Sequence, residues 1–147
     1  MSGKRQPYTR RLAELLGGRR DELREAGGWH DRILEGLGFD AVASIKAHLA
    51  LTDPEVARLL GIGEATLRRA RASGAPLGVA TSDRLYRLSK IVAVAEEALE
   101  SADNATTWIR RPQPALRGRV PLDLLVTQAG AEQVETLLRR IDFGVYT

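Results

Sequence analysis

The sequence predicts an all-α chain, with a helix-turn-helix unit in its first half and a second helical unit behind it. Three observations predict this. Apolar residues recur at helical spacing through most of the chain, as with Val134, Leu137, Leu138 and Ile141. The composition is rich in Ala, Leu, Arg and Glu, which favour helices, while aromatic residues make up only 5%. The stretch TDPEVARLLGIGEATLRRARASG, from Thr52 to Gly74, carries in order the start, turn and stop signals of two short helices.

Glycine and proline punctuate the elements. Tyr8 to Leu16 sets Leu12, Leu15 and Leu16 at helical spacing and stops at Gly17-Gly18, with a polar piece running on to Gly27-Gly28. Trp29 to Leu37 puts Trp29, Ile33, Leu34 and Leu37 on one face, and Asp40 to Leu49 does the same with Val42, Ile45 and Leu49. In the next helix Thr52 and Glu55 form a capping box, and Pro54 stands in the first turn, where its missing N–H costs little. Val56, Leu59 and Leu60 face inward, Ala57 is small where a second helix approaches, and Gly61 supplies the left-handed turn. That second helix, Glu64 to Ala72, turns Leu67 and Ala70 inward and ends before Pro76.

Ser82, read as a cap, opens a long helix to about Asp103, whose stripe of Leu85, Leu88, Ile91, Val92, Ala95, Ala98 and Leu99 makes it the spine joining two halves. Trp108 to Pro121 holds three of the six prolines and reads as an ordered loop pinned by Trp108 and Leu116. A short helix follows from about Pro121 with Leu122, Leu124 and Leu125, then a last one from Ala131, with FGVYT behind it. Trp108, Leu124 and Leu125 are expected in the core, and Gly118 and Gly130 in turns. The expected units are a basic extension over 1–27, a helix-turn-helix domain over 28–80 and a second helical domain over 81–147.

Charge is uneven although the net is only +3. Residues 1–20 hold six bases and one acid, whereas from Glu96 onward eight acids face six arginines. Such asymmetry suits a protein that meets nucleic acid with one end and another partner with the other, although basic arms are often merely solvated. Without cysteine there is no disulfide, thiolate nucleophile or zinc-thiolate site. His30 and His48 lie on separate helices with no partner motif, so each is expected at the surface or its boundary, and no metal or cofactor is expected. No nucleophile elbow, phosphate-cradling glycine pattern or isolated carboxylate pair is present, so an enzyme is not expected. The start, MSGKRQPYTRR, lacks a secretory apolar segment, and runs such as Ile91 to Ala95 are too short to span a bilayer, so a cytoplasmic protein with no membrane partner is expected.

In a helix-turn-helix the first helix crosses the phosphate backbone and the second enters the major groove. With Val56, Ala57, Leu60, Ile62, Leu67 and Ala70 inward, Glu64, Ala65, Arg68, Arg69 and Arg71 remain outside. Arginine pairs with guanine O6 and N7 or with phosphate, which makes Arg68 and Arg69 the candidates for base edges, with Arg71 and Thr66 nearer the backbone. Glu64 would accept from a cytosine amine or orient an arginine. The plain alternative is a helical hairpin whose arginines only solvate its outer side. One such unit gives little contact area, so a homodimer reading two half-sites is expected, with exposed leucines of the first helices as the seam.

The second half carries a more specific pattern. Arg84-Leu85, Arg87-Leu88, Ala95 and Ala98 are followed by Trp108, Pro112, Pro114, Leu116 and Gly118. Then come Pro121-Leu122-Asp123-Leu124-Leu125, Thr127, Gly130, Arg140-Ile141 and Gly144-Val145-Tyr146. This series, over about residues 82–147, resembles the toxin-binding domain of the Xre/MbcA/ParS antitoxin family, and the first half resembles the Xre-like half of that family with looser motifs. The resemblance implies a type II antitoxin that binds a cognate RES-domain toxin, a class that consumes NAD, blocks its active-site entrance and binds operator DNA to repress its own operon. The closing segment suits such a contact, since its apolar side chains have little reason to be exposed otherwise. Phe143, Val145 and Tyr146 would fill a groove, Gly144 lies between them, and Arg139, Arg140 and the carboxylate of Thr147 would reach polar groups at its rim. The rival is a helix-turn-helix transcription regulator whose second half senses a small molecule, which would need a concave pocket with convergent polar groups.

Overall fold

A computed structural model describes residues 8–17 and 28–144, so most of the expected basic extension lies outside the described residues. These form α1 (Tyr8–Leu16), α2 (Gly28–Glu35), α3 (Phe39–Leu49), α4 (Asp53–Leu60), α5 (Glu64–Ser73), α6 (Val79–Leu99), α7 (Ala102–Ile109), α8 (Pro121–Leu124) and α9 (Gln128–Asp142). A 3-10 turn spans Pro114–Leu116, and no strand occurs among the described residues. The architecture is all-α, with the helix-turn-helix pair α4 and α5 ahead of the C-terminal helices.

The spine is α6. Residues Ile91 to Ala95 are buried without interruption, which a helix achieves only when neighbours cover it on every side. Those neighbours are α1, α2, α3 and α4 from the first half and α7 and α9 from the second. Gly78 caps α6, and Ser82, expected at the cap, lies inside the helix and is wholly buried. Its hydroxyl accepts from the Leu37 N–H at 2.9 Å and donates to the Leu77 carbonyl at 3.4 Å, tying the α2–α3 link to the start of α6. The expected run to Asp103 stops at Leu99, because Glu100 turns left-handed (φ 64°) and the Ser101 side chain caps α7 by accepting from the Asn104 N–H.

Other expectations need correction. Leu34 is 54% exposed, since α2 leans on α6 through Trp29, whose ring lies 5.7 Å from that of Tyr86. Leu12, Leu15 and Leu16 are buried against this chain's own α3 and α6 and so are not available as a dimer seam. Arg11 fastens the same helix, pairing with Glu96 and donating to His48 Nε2 at 2.7 Å. A guanidinium only donates, so Nε2 accepts and the proton sits on Nδ1, which donates to the Ser44 carbonyl at 2.8 Å. Gly130 is not in a turn. It is buried in the first turn of α9, where a Cβ would come within 2.0 Å of the Leu124 carbonyl oxygen, so its missing side chain lets α9 pack directly on α8. The stretch beyond Trp108 is ordered as expected, with Leu116 buried and Trp108 half-buried against the core.

Two wholly buried serines on α6 should behave oppositely. Ser82→Ala leaves the Leu37 N–H unpaired and should cost about 1–3 kcal/mol, whereas the Ser89 hydroxyl has no partner among the described residues, so Ser89→Ala should be neutral or stabilising. Urea unfolding of both variants checks the contrast; equal losses would refute it.

Candidate functional site

The helix-turn-helix corner forms as its residues dictate. The Thr52 N–H donates to Glu55 Oε1 at 2.9 Å while Thr52 Oγ1 accepts from the Glu55 N–H at 3.3 Å, and Pro54 stands in the first turn. Gly61 ends α4 in the left-handed region (φ 69°, ψ 32°), and the Ile62 N–H returns to the Ala57 carbonyl at 3.0 Å. From α6, Arg84 donates to the Leu60 carbonyl at 3.2 Å, holding this corner against the spine.

Only Leu67 of α5 is buried, with Ala70 half-buried beside it, so the rest of the helix stands clear of the core. At 100° per residue, Arg68 and Arg69 lie on the side away from Leu67, together with Ala65 and Ala72. Arg69 donates to Thr66 Oγ1 at 3.1 Å, which makes the two one polar unit. Glu64 is exposed at the first turn. Arg71 points elsewhere. It flanks the Leu67 side, reaches Asp53 Oδ1 at 3.0 Å and lies 5.5 Å over the Phe39 ring. Lys46 reaches the same Asp53 oxygen at 2.7 Å. Of the candidate DNA contacts, the structure brings Glu64, Thr66, Arg68 and Arg69 to the open surface and turns Arg71 back to α3 and α4.

Both acids at the start of α4 are held ionised. Lys46 and then Arg71 hold the Asp53 carboxyl below the usual range by hydrogen bonding, and the Glu55 carboxyl is lowered chiefly by the Thr52 N–H and further by Arg110. Arg110, at the end of α7, reaches Glu55 Oε2 at 3.1 Å and the Leu49 carbonyl at 3.3 Å. Arg58 of α4 pairs with Asp123 of α8 at 2.8 Å. These ties between the halves were invisible in sequence: their partners are 55 and 65 residues apart, and no spacing rule connects them.

At the other end, Thr127 caps α9 by accepting from the Gly130 N–H at 2.9 Å. Arg139 pairs with Glu135 at 3.0 Å, while Arg140 is exposed along a groove of about 520 Å³ between α9 and the Ala115–Leu116 turn. Phe143 is 78% exposed, and Gly144 takes the left-handed conformation at φ 75°. Val145, Tyr146 and Thr147, the remaining candidate toxin contacts, lie outside the described residues.

A further hollow of about 410 Å³ opens between α3 and α4, lined by Phe39, Val42, Ala43, Ala47, Leu51 and Val56, with Lys46, Asp53 and Arg71 at its edge. No cluster of acids and histidines able to hold a metal occurs among the described residues, and no helix there is long and apolar enough to cross a membrane.

Fold and surfaces define a helix-turn-helix protein with a second helical module on a shared spine. Residues 28–90 match the antitoxin Xre-like helix-turn-helix domain, and residues 94–144 match the antitoxin Xre/MbcA/ParS C-terminal toxin-binding domain. An antitoxin Xre of Pseudomonas putida is 32% identical over 93% of this chain and 84% of its own length. A Prs ADP-ribosylating antitoxin of a Sphingobium species is 31% identical over 59% of this chain and 60% of its own. The crystal structure of the M. tuberculosis MbcT-MbcA toxin-antitoxin complex contains a chain of the same fold, with a TM-score of 0.54 at 24% identity, over 72% of this chain and 94% of that one. The chain belongs to the Xre/MbcA/ParS family of type II antitoxins.

Because Asp53 and Glu55 are held below their ordinary range, the stability they contribute is complete at neutral pH. It is lost as pH falls below the ordinary carboxylate range, about 4, toward their folded-state values. Glu55→Gln removes the charge at the cap and the Arg110 pair, and should cost about 0.5–1 kcal/mol at pH 7. In urea titrations that deficit should shrink as pH falls below the ordinary carboxylate range toward the lowered folded-state value of Glu55, where the wild-type side chain loses the same charge; a deficit independent of pH would contradict the assignment.

Proposed function

We propose that this antitoxin neutralises a RES-domain, NAD-consuming toxin by seating its C-terminal segment over the toxin's active-site entrance, and that it represses its own operon through α5. The observation that carries the first part is Phe143. A large apolar side chain 78% exposed at the end of an otherwise well-buried amphipathic helix is a costly arrangement in a free protein and a suitable anchor for a partner's groove. In this reading Val145, Tyr146 and Thr147 join Phe143 in the contact, and the exposed Arg140 serves as a rim residue. The relative named for ADP-ribosylation supports the NAD part, since ADP-ribosyl transfer draws on NAD.

For the second part, α5 offers Arg68 to base edges and the Arg69–Thr66 unit to bases or phosphate, with Glu64 at the entrance of the groove. Residues 28–80 then act as the DNA-facing unit and 81–147 as the toxin-facing one, with 1–27 as a basic extension. Binding as a homodimer matches two half-sites; its seam must lie outside the α1 leucines, which the core occupies. The chain performs no catalysis in this reading and works in the cytoplasm.

Two outcomes test these roles. Truncation after Asp142 should leave the thermal unfolding and DNA affinity within error of the full chain while abolishing rescue of cells that express the toxin encoded beside it; full rescue would reject the plug. Arg68→Ala should cost about 1–3 kcal/mol on a duplex from upstream of the protein's own gene and relax discrimination at one base position, as measured by fluorescence anisotropy. Unchanged discrimination would remove Arg68 from base reading.

A further inference from the structure

The loop from Arg110 to Val120 belongs by sequence to the toxin-binding module, yet its ends are fixed on the helix-turn-helix. At its start Arg110 bonds Glu55 and the Leu49 carbonyl, and just before it Thr106 donates to the His48 carbonyl at 2.7 Å. Just past its far end, Asp123 pairs with Arg58, one turn along α4 from Glu55. The loop therefore runs beside α4.

Its own backbone is rigid. The Gln113 N–H donates to the Arg119 carbonyl and the Gly118 N–H to the Gln113 carbonyl, both at 3.0 Å, and Leu116 is buried beneath. On this frame stand Arg111, Arg117 and Arg119, all exposed, their side chains forming no hydrogen bond or ion pair among the described residues. No acid lies between Asp103 and Asp123 to offset them.

We propose that Arg111, Arg117 and Arg119 form a second DNA-contacting surface, gripping duplex phosphates flanking the bases that α5 reads; this rests on the DNA-binding reading above. The charges of α4 itself argue for it. A helix laid across phosphates here carries Asp53 and Glu55, while Arg58 is spent on Asp123 and Arg71 is turned to Asp53. Such a surface needs surplus cations from elsewhere, and the loop beside α4 supplies three. Arginine contacts to backbone phosphates position a protein on the duplex and carry no sequence preference. A toxin surface would need a matching acidic cluster, and the toxin contact argued above centres on the apolar ring of Phe143, with Arg140 only at its rim.

The test compares the full chain with Arg111→Ala/Arg117→Ala/Arg119→Ala and with the corresponding triple lysine variant. Each is titrated against a duplex from upstream of its own gene and against a scrambled duplex of the same composition, between about 50 and 200 mM salt. The alanine variant should lose on the order of tenfold or more in affinity for both duplexes, and its log K against log salt slope should flatten by about 2 to 3. The lysine variant should keep the slope, and thermal unfolding and co-purification with the toxin should be unchanged throughout. Affinity and slope equal to wild type, or loss of toxin co-purification with DNA binding intact, overturns the proposal; the latter outcome makes the loop a protein-facing surface. If the unaltered chain binds neither duplex, the DNA-binding reading falls and takes this proposal with it, an outcome distinct from unchanged binding by the variants.

Discussion

Burial of α6 on every side is the constraint from which the rest of the structure follows. A helix whose residues 91–95 all leave water cannot be served by one neighbouring layer, and the chain satisfies it by bringing α1 to α4 from one half and α7 and α9 from the other. The two family domains meet on this helix, one match ending at residue 90 and the next beginning at 94. They are therefore packed units rather than beads on a linker, and the spacing between α5 and the end of α9 is set by the core.

Electrostatics decorates this arrangement without holding it together. Arg58 with Asp123 and Arg110 with Glu55 are partly exposed pairs, each worth about 0–1 kcal/mol. Their effect is orientation: they settle which arginines are consumed inside the chain and which remain for a partner. Arg71 pairs with Asp53, whereas Arg68 reaches the surface without a partner among the described residues. The proposed contacts draw on the cations and the aromatic ring left over once the fold has satisfied itself.

Local signals were legible in the sequence. The capping box at Thr52 and the left-handed turn at Gly61 stand where residue chemistry alone puts them, because each involves neighbours within five residues, and Leu67 is inward as the helical period requires. Long-range demands were not. Ser82 looks like a cap because serine favours caps, yet Leu37, 45 residues earlier, needs its hydroxyl, and Gly78 takes the cap instead. The leucines of α1 look free because nothing nearby in sequence covers them; α6 covers them in space. Gly130 looks like a turn residue because glycine often is one, but here the close approach of the Leu124 carbonyl requires it. At the candidate site, the outward placement of Arg68 and Arg69 was legible from the helical pattern, whereas the Arg71–Asp53 pair, 18 residues apart, has no local signal in the sequence.

The two tryptophans report on different halves: Trp29 of α2 packs on Tyr86 of α6, and Trp108 lies in α7. The most direct measurement is urea unfolding followed by fluorescence in Trp108→Phe, which leaves Trp29 as the reporter, and in Trp29→Phe, which leaves Trp108, with circular dichroism recorded on each as the reference. If α6 welds the halves, fluorescence and circular dichroism will give coincident midpoints and slopes within each variant. A fluorescence transition from one half that precedes the loss of helix in the other would contradict the shared core and, with it, the account of how the two surfaces are held.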